Sequence, residues 1–60
     1  MSSDETHRVL KLFEVAVTSL EEAIDNGAPM DEVMKWDREV ADRTRELLAL
    51  LDRLRSRRIG

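Results

Sequence analysis

The sequence predicts an all-α protein: a two-helix antiparallel αα-hairpin, coiled-coil-like and stabilised by association. Three observations carry this. Helix breakers occur only in Asn26-Gly27-Ala28-Pro29 and at Gly60. The apolar residues on either side of that segment recur at heptad spacing. Finally, 60 residues with no cysteine and one histidine offer neither a disulfide nor a zinc site to staple a small core. Association is the stabiliser that remains.

Helix 1 is expected over about residues 4–26. Ser2 and Glu5 have the S-x-x-E spacing of a capping box, in which the two side chains satisfy orphan amides at the helix start. Leu10, Phe13, Val17, Leu20 and Ile24 fall on one seam with a/d spacing. Val9, Ala16 and Ala23 widen that seam on one side, and Leu12 and Val15 continue past them. The apolar arc then covers roughly 220°, whereas a helix facing one partner helix needs only about 100°.

The turn is expected at residues 26–29, because glycine just past a helix end and proline at the next helix start is the usual asymmetry. Helix 2 follows over about residues 30–57, and residues 1–60 make one domain. Its seam reads Val33, Trp36, Val40, Leu47, Leu50, Leu51 and Leu54, flanked by Met30, Met34, Ala41 and Leu48. Asp31 and Glu32 in its first turn, and Arg53, Arg55, Arg57 and Arg58 near its end, suit the helix dipole. Two helices packed on each other cannot cover both apolar arcs, so a further surface must.

Charge divides along the hairpin. Residues 1–37 hold nine acids and three bases, a net of −6, and residues 38–60 hold four acids and seven bases, a net of +3. Antiparallel packing collects Glu21, Glu22, Asp25, Asp31 and Glu32 at the turn and returns the arginines beside Asp4 and Glu5. Asp31/Lys35, Glu39/Arg43 and Arg38/Asp42 are i,i+4 pairs worth about 0.2–0.5 kcal/mol each, a solvated face rather than a site. The overall charge of −3 and the presence of only two aromatics, Phe13 and Trp36, argue against nucleic-acid binding. The C-terminal arginines are the one basic cluster, of the kind with which small dimeric hairpin regulators of plasmid copy number contact RNA. No aromatic interleaves them. No apolar run approaches the roughly 18 residues of a membrane span, and no apolar segment follows the N-terminus. A cytoplasmic protein without membrane insertion is expected.

Catalytic chemistry finds no support in the residues. His7 lies three residues after Asp4 on one helix face, with no further ligand in reach of the pattern. Glu21, Glu22 and Asp25 form an acidic surface, without the Glu-x-x-His that di-metal bundles place inward. There is no cysteine nucleophile, no serine with a histidine partner and no glycine loop for phosphate. No enzyme activity, cofactor or metal is expected.

The apolar surplus points instead to a protein partner or to self-association. Phe13, Leu20, Val40 and Leu47 are expected to hold the hairpin together. Leu12 and Val15 from helix 1, with Met30, Met34 and Leu48 from helix 2, are left over as the partner interface. An exposed apolar strip on a small soluble chain marks such a surface, and thioethers adapt to a partner groove.

Phe13-Glu14-Val15-Ala16-Val17-Thr18-Ser19-Leu20, the turn glycine and Trp36-Asp37-Arg38-Glu39 resemble a known family. These features are similar to the small hairpin co-chaperones of the bacterial type III secretion needle, the YscE/PscE type, over about two-thirds of the chain. The acidic second half of helix 1 and the short N-terminus depart from that pattern. The resemblance implies a cytoplasmic co-chaperone, in protein transport, that docks on a larger helical-repeat chaperone subunit. Together they would keep the needle subunit unpolymerised. A homodimeric four-helix-bundle regulator binding protein or RNA is the alternative. A weaker similarity, through Glu32-Val33-Met34-Lys35-Trp36-Asp37-Arg38-Glu39, is to two-helix sporulation phosphatases. Their Ser-Gln-Glu-Leu-Asp run would read Asp37-Arg38-Glu39-Val40-Ala41 here, with alanine in place of the final acid.

Overall fold

The computed structural model describes residues 2–59, with side chains from Asp4 to Arg57. Two helices, α1 (Ser2–Asp25) and α2 (Met30–Ile59), pack against each other as an antiparallel hairpin. The result is a rod with extents of 48 × 16 × 12 Å. The all-α, two-helix hairpin expected from the sequence is the architecture observed.

The turn shows how four residues reverse the chain. Gly27 has φ +67°, the left-handed conformation that an L side chain resists. Its N–H donates to the Ile24 carbonyl at 3.2 Å, and the Ala28 N–H donates to the Ala23 carbonyl at 2.9 Å. These two bonds form a Schellman motif, which satisfies carbonyls that would otherwise be orphaned at the end of α1. Pro29 then starts α2: its carbonyl accepts from the N–H groups of Glu32 and Val33 at 3.0 and 3.1 Å. Proline serves well here because the N–H it lacks would have had no helical partner. At the other end of α1, Ser2 already lies within the helix, and its side chain is outside the described ones. The carboxylate of Glu5, expected to close a capping box, pairs with Arg53 of α2 at 3.0 Å. That bridge brings the C-terminal arginines back beside the start of α1, as the charge pattern predicts.

The buried seam of α1 is rotated by one residue from the one expected. Ala16 and Ala23 are the most buried residues of α1, at 1% and 4% exposure. They form a heptad ladder with half-buried Thr6, Val9, Phe13 and Leu20. Leu10, Val17 and Ile24, expected in the seam, are exposed on its flank. Small side chains explain the choice. Alanines at two successive seam positions leave room for two helices to approach closely, small side chains facing larger ones. The wide apolar arc makes either phase acceptable to α1 by itself, so the fit to α2 decides.

In α2 the seam is an unbroken heptad ladder of Val33, Trp36, Val40, Arg43, Leu47, Leu50 and Leu54. Leu50 is buried, at 3% exposure, while Leu51, also expected in the seam, is exposed. Phe13, Leu20, Val40 and Leu47 all fall on the inter-helix seam, half-buried, as expected of the residues that join the hairpin. Among the described residues only Ala16, Ala23 and Leu50 are buried apolar residues, and no large side chain is fully enclosed. A two-layer rod with so thin a core matches the small fraction of surface that a 60-residue chain can bury.

Candidate functional site

The two helices define two broad faces, and these have opposite chemistry. In an antiparallel heptad pair, residues just before the first seam position of each heptad share one face. Residues just after the second seam position share the other. The Glu5–Arg53 bridge identifies the first face directly.

That first face is ionic. A shallow open groove there is lined by Glu5, Arg8, Val9, Leu12, Glu46, Ala49 and Arg53. Beside it, Arg43 occupies a seam position with its stem between the helices and its guanidinium turned out to this face. Its Nη2 stands 2.8 Å from Glu39 Oε2, and its Nη1 stands 2.7 Å from Glu46 Oε1. The Arg43 Nε–H also donates to Glu39, at 2.9 Å. Hydrogen bonds donated to Glu46 and then to Glu39 hold the Arg43 pKa above its ordinary value. A long side chain can cover apolar surface with its methylenes while keeping its head polar, which reconciles an arginine with a seam position.

The second face is mainly apolar. Helical phase puts Leu10, Val17 and Ile24 of α1 on it, with Met30, Met34, Ala41, Leu48 and Leu51 of α2. The seven large side chains among them are between 37% and 68% exposed. Thr44, in the same stripe, has its hydroxyl spent on the Val40 carbonyl at 2.7 Å, so it adds no unpaired polar group. Glu14 and Glu21 edge this face along α1, Asp37 interrupts it on α2, and Arg55 closes it at the open end. A contiguous exposed apolar surface rimmed by charge is the usual form of a protein interaction site.

Comparison with protein-family models, characterised proteins and solved structures finds no match to this chain.

The five residues expected to form one interface therefore separate among three places. Met30, Met34 and Leu48 belong to the apolar face. Leu12, at 36% exposure, lies in the ionic groove. Val15 is on the outer side of α1, beside a shallow depression shared with Lys11, Glu14, Thr18 and Ser19. All five are exposed, but they do not make one patch. The apolar face instead gains Leu10, Val17, Ile24 and Leu51, which the expected seams had absorbed. Their spacing at 10, 17 and 24 is the signal that could have found them. It is a second heptad line, shifted by one residue from the alanines at 16 and 23.

Three further ion pairs join neighbouring charges. Arg45 pairs with Asp42 at 3.4 Å, Lys11 with Glu14 at 3.6 Å, and Arg55 with Asp52 at 3.7 Å. The expected Glu39/Arg43 pair forms. Lys35, expected beside Asp31, instead stands over the Trp36 ring, 4.9 Å from its centroid. Asp42, expected to pair with Arg38, takes Arg45. His7 is exposed, and no group of three potential ligands among the described residues could hold a metal ion. Among the same residues, no helix is long and apolar enough to cross a membrane. Arg58 of the C-terminal cluster lies outside the described side chains.

Proposed function

We propose that this chain is a non-enzymatic interaction module, a helical hairpin that works by docking its apolar face on another helical surface. The observation that carries the reading is the face formed by Leu10, Val17, Ile24, Met30, Met34, Leu48 and Leu51, exposed beside a core in which, among the described residues, Ala16, Ala23 and Leu50 are buried. Such a face is completed by a surface of like chemistry, since removing it from water is the main gain available to so small a fold. The resemblance of Phe13–Leu20 and Trp36–Glu39 to the type III secretion co-chaperones suggests what that surface is. It would be a larger helical-repeat chaperone in the cytoplasm, with which the hairpin keeps a needle subunit unpolymerised.

The test is molar mass in solution, measured by light scattering with and without a helical-repeat needle chaperone. The co-chaperone reading expects a complex of the two chains that Leu48→Glu abolishes while helix content stays unchanged. Failure of the wild-type chain to form that complex would remove this partner.

A further inference from the structure

We infer that the free chain closes its apolar face with a second copy of itself, packed antiparallel as a two-fold four-helix bundle. The inference rests on reading that face as a docking surface and names its occupant in the absence of any other partner.

Two observations select a second copy. The first is size. The hairpin presents a broad face of 48 × 16 Å, which matches the roughly 800 Å2 per partner of a standard stable interface. The apolar stripe runs along that face from Met30 and Ile24 near the turn to Leu10 and Leu51 near the open end, so an equally long helical pair covers it fully. A two-fold contact presents the same patch on both sides, and both helices contribute apolar side chains to the stripe, which only Asp37 interrupts on α2.

The second observation is charge, and it sets the orientation. Around the turn, residues 18–38 carry six acids and two bases. At the open end, residues 1–11 together with 47–60 carry three acids and six bases. A parallel pair would stack acid on acid and base on base. An antiparallel pair lays the open end of each copy, where Arg55 closes the apolar face, beside the acidic turn of the other, where Glu21 edges that face. Both ends are then neutralised at once. Complementary potentials of this kind fix register and suppress the wrong arrangement more than they add affinity.

The chain has no cysteine, so a single Ser56→Cys variant carries a spin label at the open end of each hairpin. Sedimentation equilibrium on the unmodified chain, from low to high micromolar concentration, should give a dimer. The label-to-label distance in that dimer should lie near the 48 Å length of the hairpin. Leu48→Glu should weaken the dimer by at least about tenfold, because it buries an unpaired charge, whereas Leu12→Glu on the ionic face should not. A monomer throughout the concentration range would overturn the inference, and so would a dimer with its labels close together. A dimer broken by Leu12→Glu and spared by Leu48→Glu would place the contact on the wrong face and overturn it too. If Leu48→Glu lowers helix content, the mass and label distance of the parent still decide. A monomeric chain that nonetheless binds a helical-repeat chaperone would refute self-association and leave the docking module standing.

Discussion

The two broad faces of this hairpin are built from the same two helices and have the same length, yet one closes on itself and the other does not. On the ionic face Arg43 is shared between Glu39 and Glu46, and Arg53 crosses to Glu5. Nothing further is needed to satisfy those groups. On the opposite face seven large apolar side chains meet solvent, and no rearrangement within two helices can cover them. Polar groups can be satisfied locally, by a neighbour one turn away. Apolar area is satisfied only by more surface. A short chain can therefore finish its charged side alone, while its apolar side sets a requirement for company.

The contrast can be tested at graded cost, beginning with the seam that both faces share. Leu50→Ala should lose about 2–5 kcal/mol of folding stability in urea titrations, because Leu50 is the most buried large side chain and a cavity would remain. Next comes the apolar face. Met34→Glu should leave the helical circular dichroism of the hairpin unchanged and weaken association about tenfold to a hundredfold. The same substitution at Val15, on the outer side of α1, should do neither. Gly27→Ala should cost about 1–2 kcal/mol and affect both faces alike. Its φ of +67° is the sole obstacle there, since a Cβ at that position meets nothing within 4 Å. On the ionic side, Arg43→Met should leave the urea midpoint close to that of the parent chain. The apolar chain replaces the stem in the seam, and the lost ion pairs are partly exposed. A large loss on Arg43→Met would mean that the ionic face is structurally essential, and the contrast would fail.

Much of this architecture was legible in the residues. Asn26-Gly27-Ala28-Pro29 announced the reversal because glycine and proline act locally, through their own backbone restrictions, and tertiary packing does not override them. The return of Arg53 to Glu5 followed from antiparallel topology and charge. The phase of α1 did not follow. Val9, Leu10, Ala16, Val17, Ala23 and Ile24 offer two adjacent heptad lines, and hydrophobicity favours the larger residues of the second. Close approach of two backbones favours the alanines of the first, a preference that exists only once α2 is opposite. Arg43 was hidden for a related reason. An arginine reads as solvent-facing, and only the ladder from Val40 to Leu47 shows that its stem fills a seam position. Misplacing that one phase is what merged Leu12 and Val15 with Met30, Met34 and Leu48 into a single expected interface.

The central claim is that the hairpin is incomplete alone and is completed through its apolar face. The most direct test is thermal unfolding, followed by the fluorescence of Trp36, the chain's single tryptophan, over a wide range of protein concentration. Association of folded chains makes Tm rise with concentration by mass action. The account predicts that rise for the parent chain and a flat, lower Tm for Leu48→Glu. A parent Tm that stays constant across the range, in a chain shown to be monomeric throughout, would contradict it.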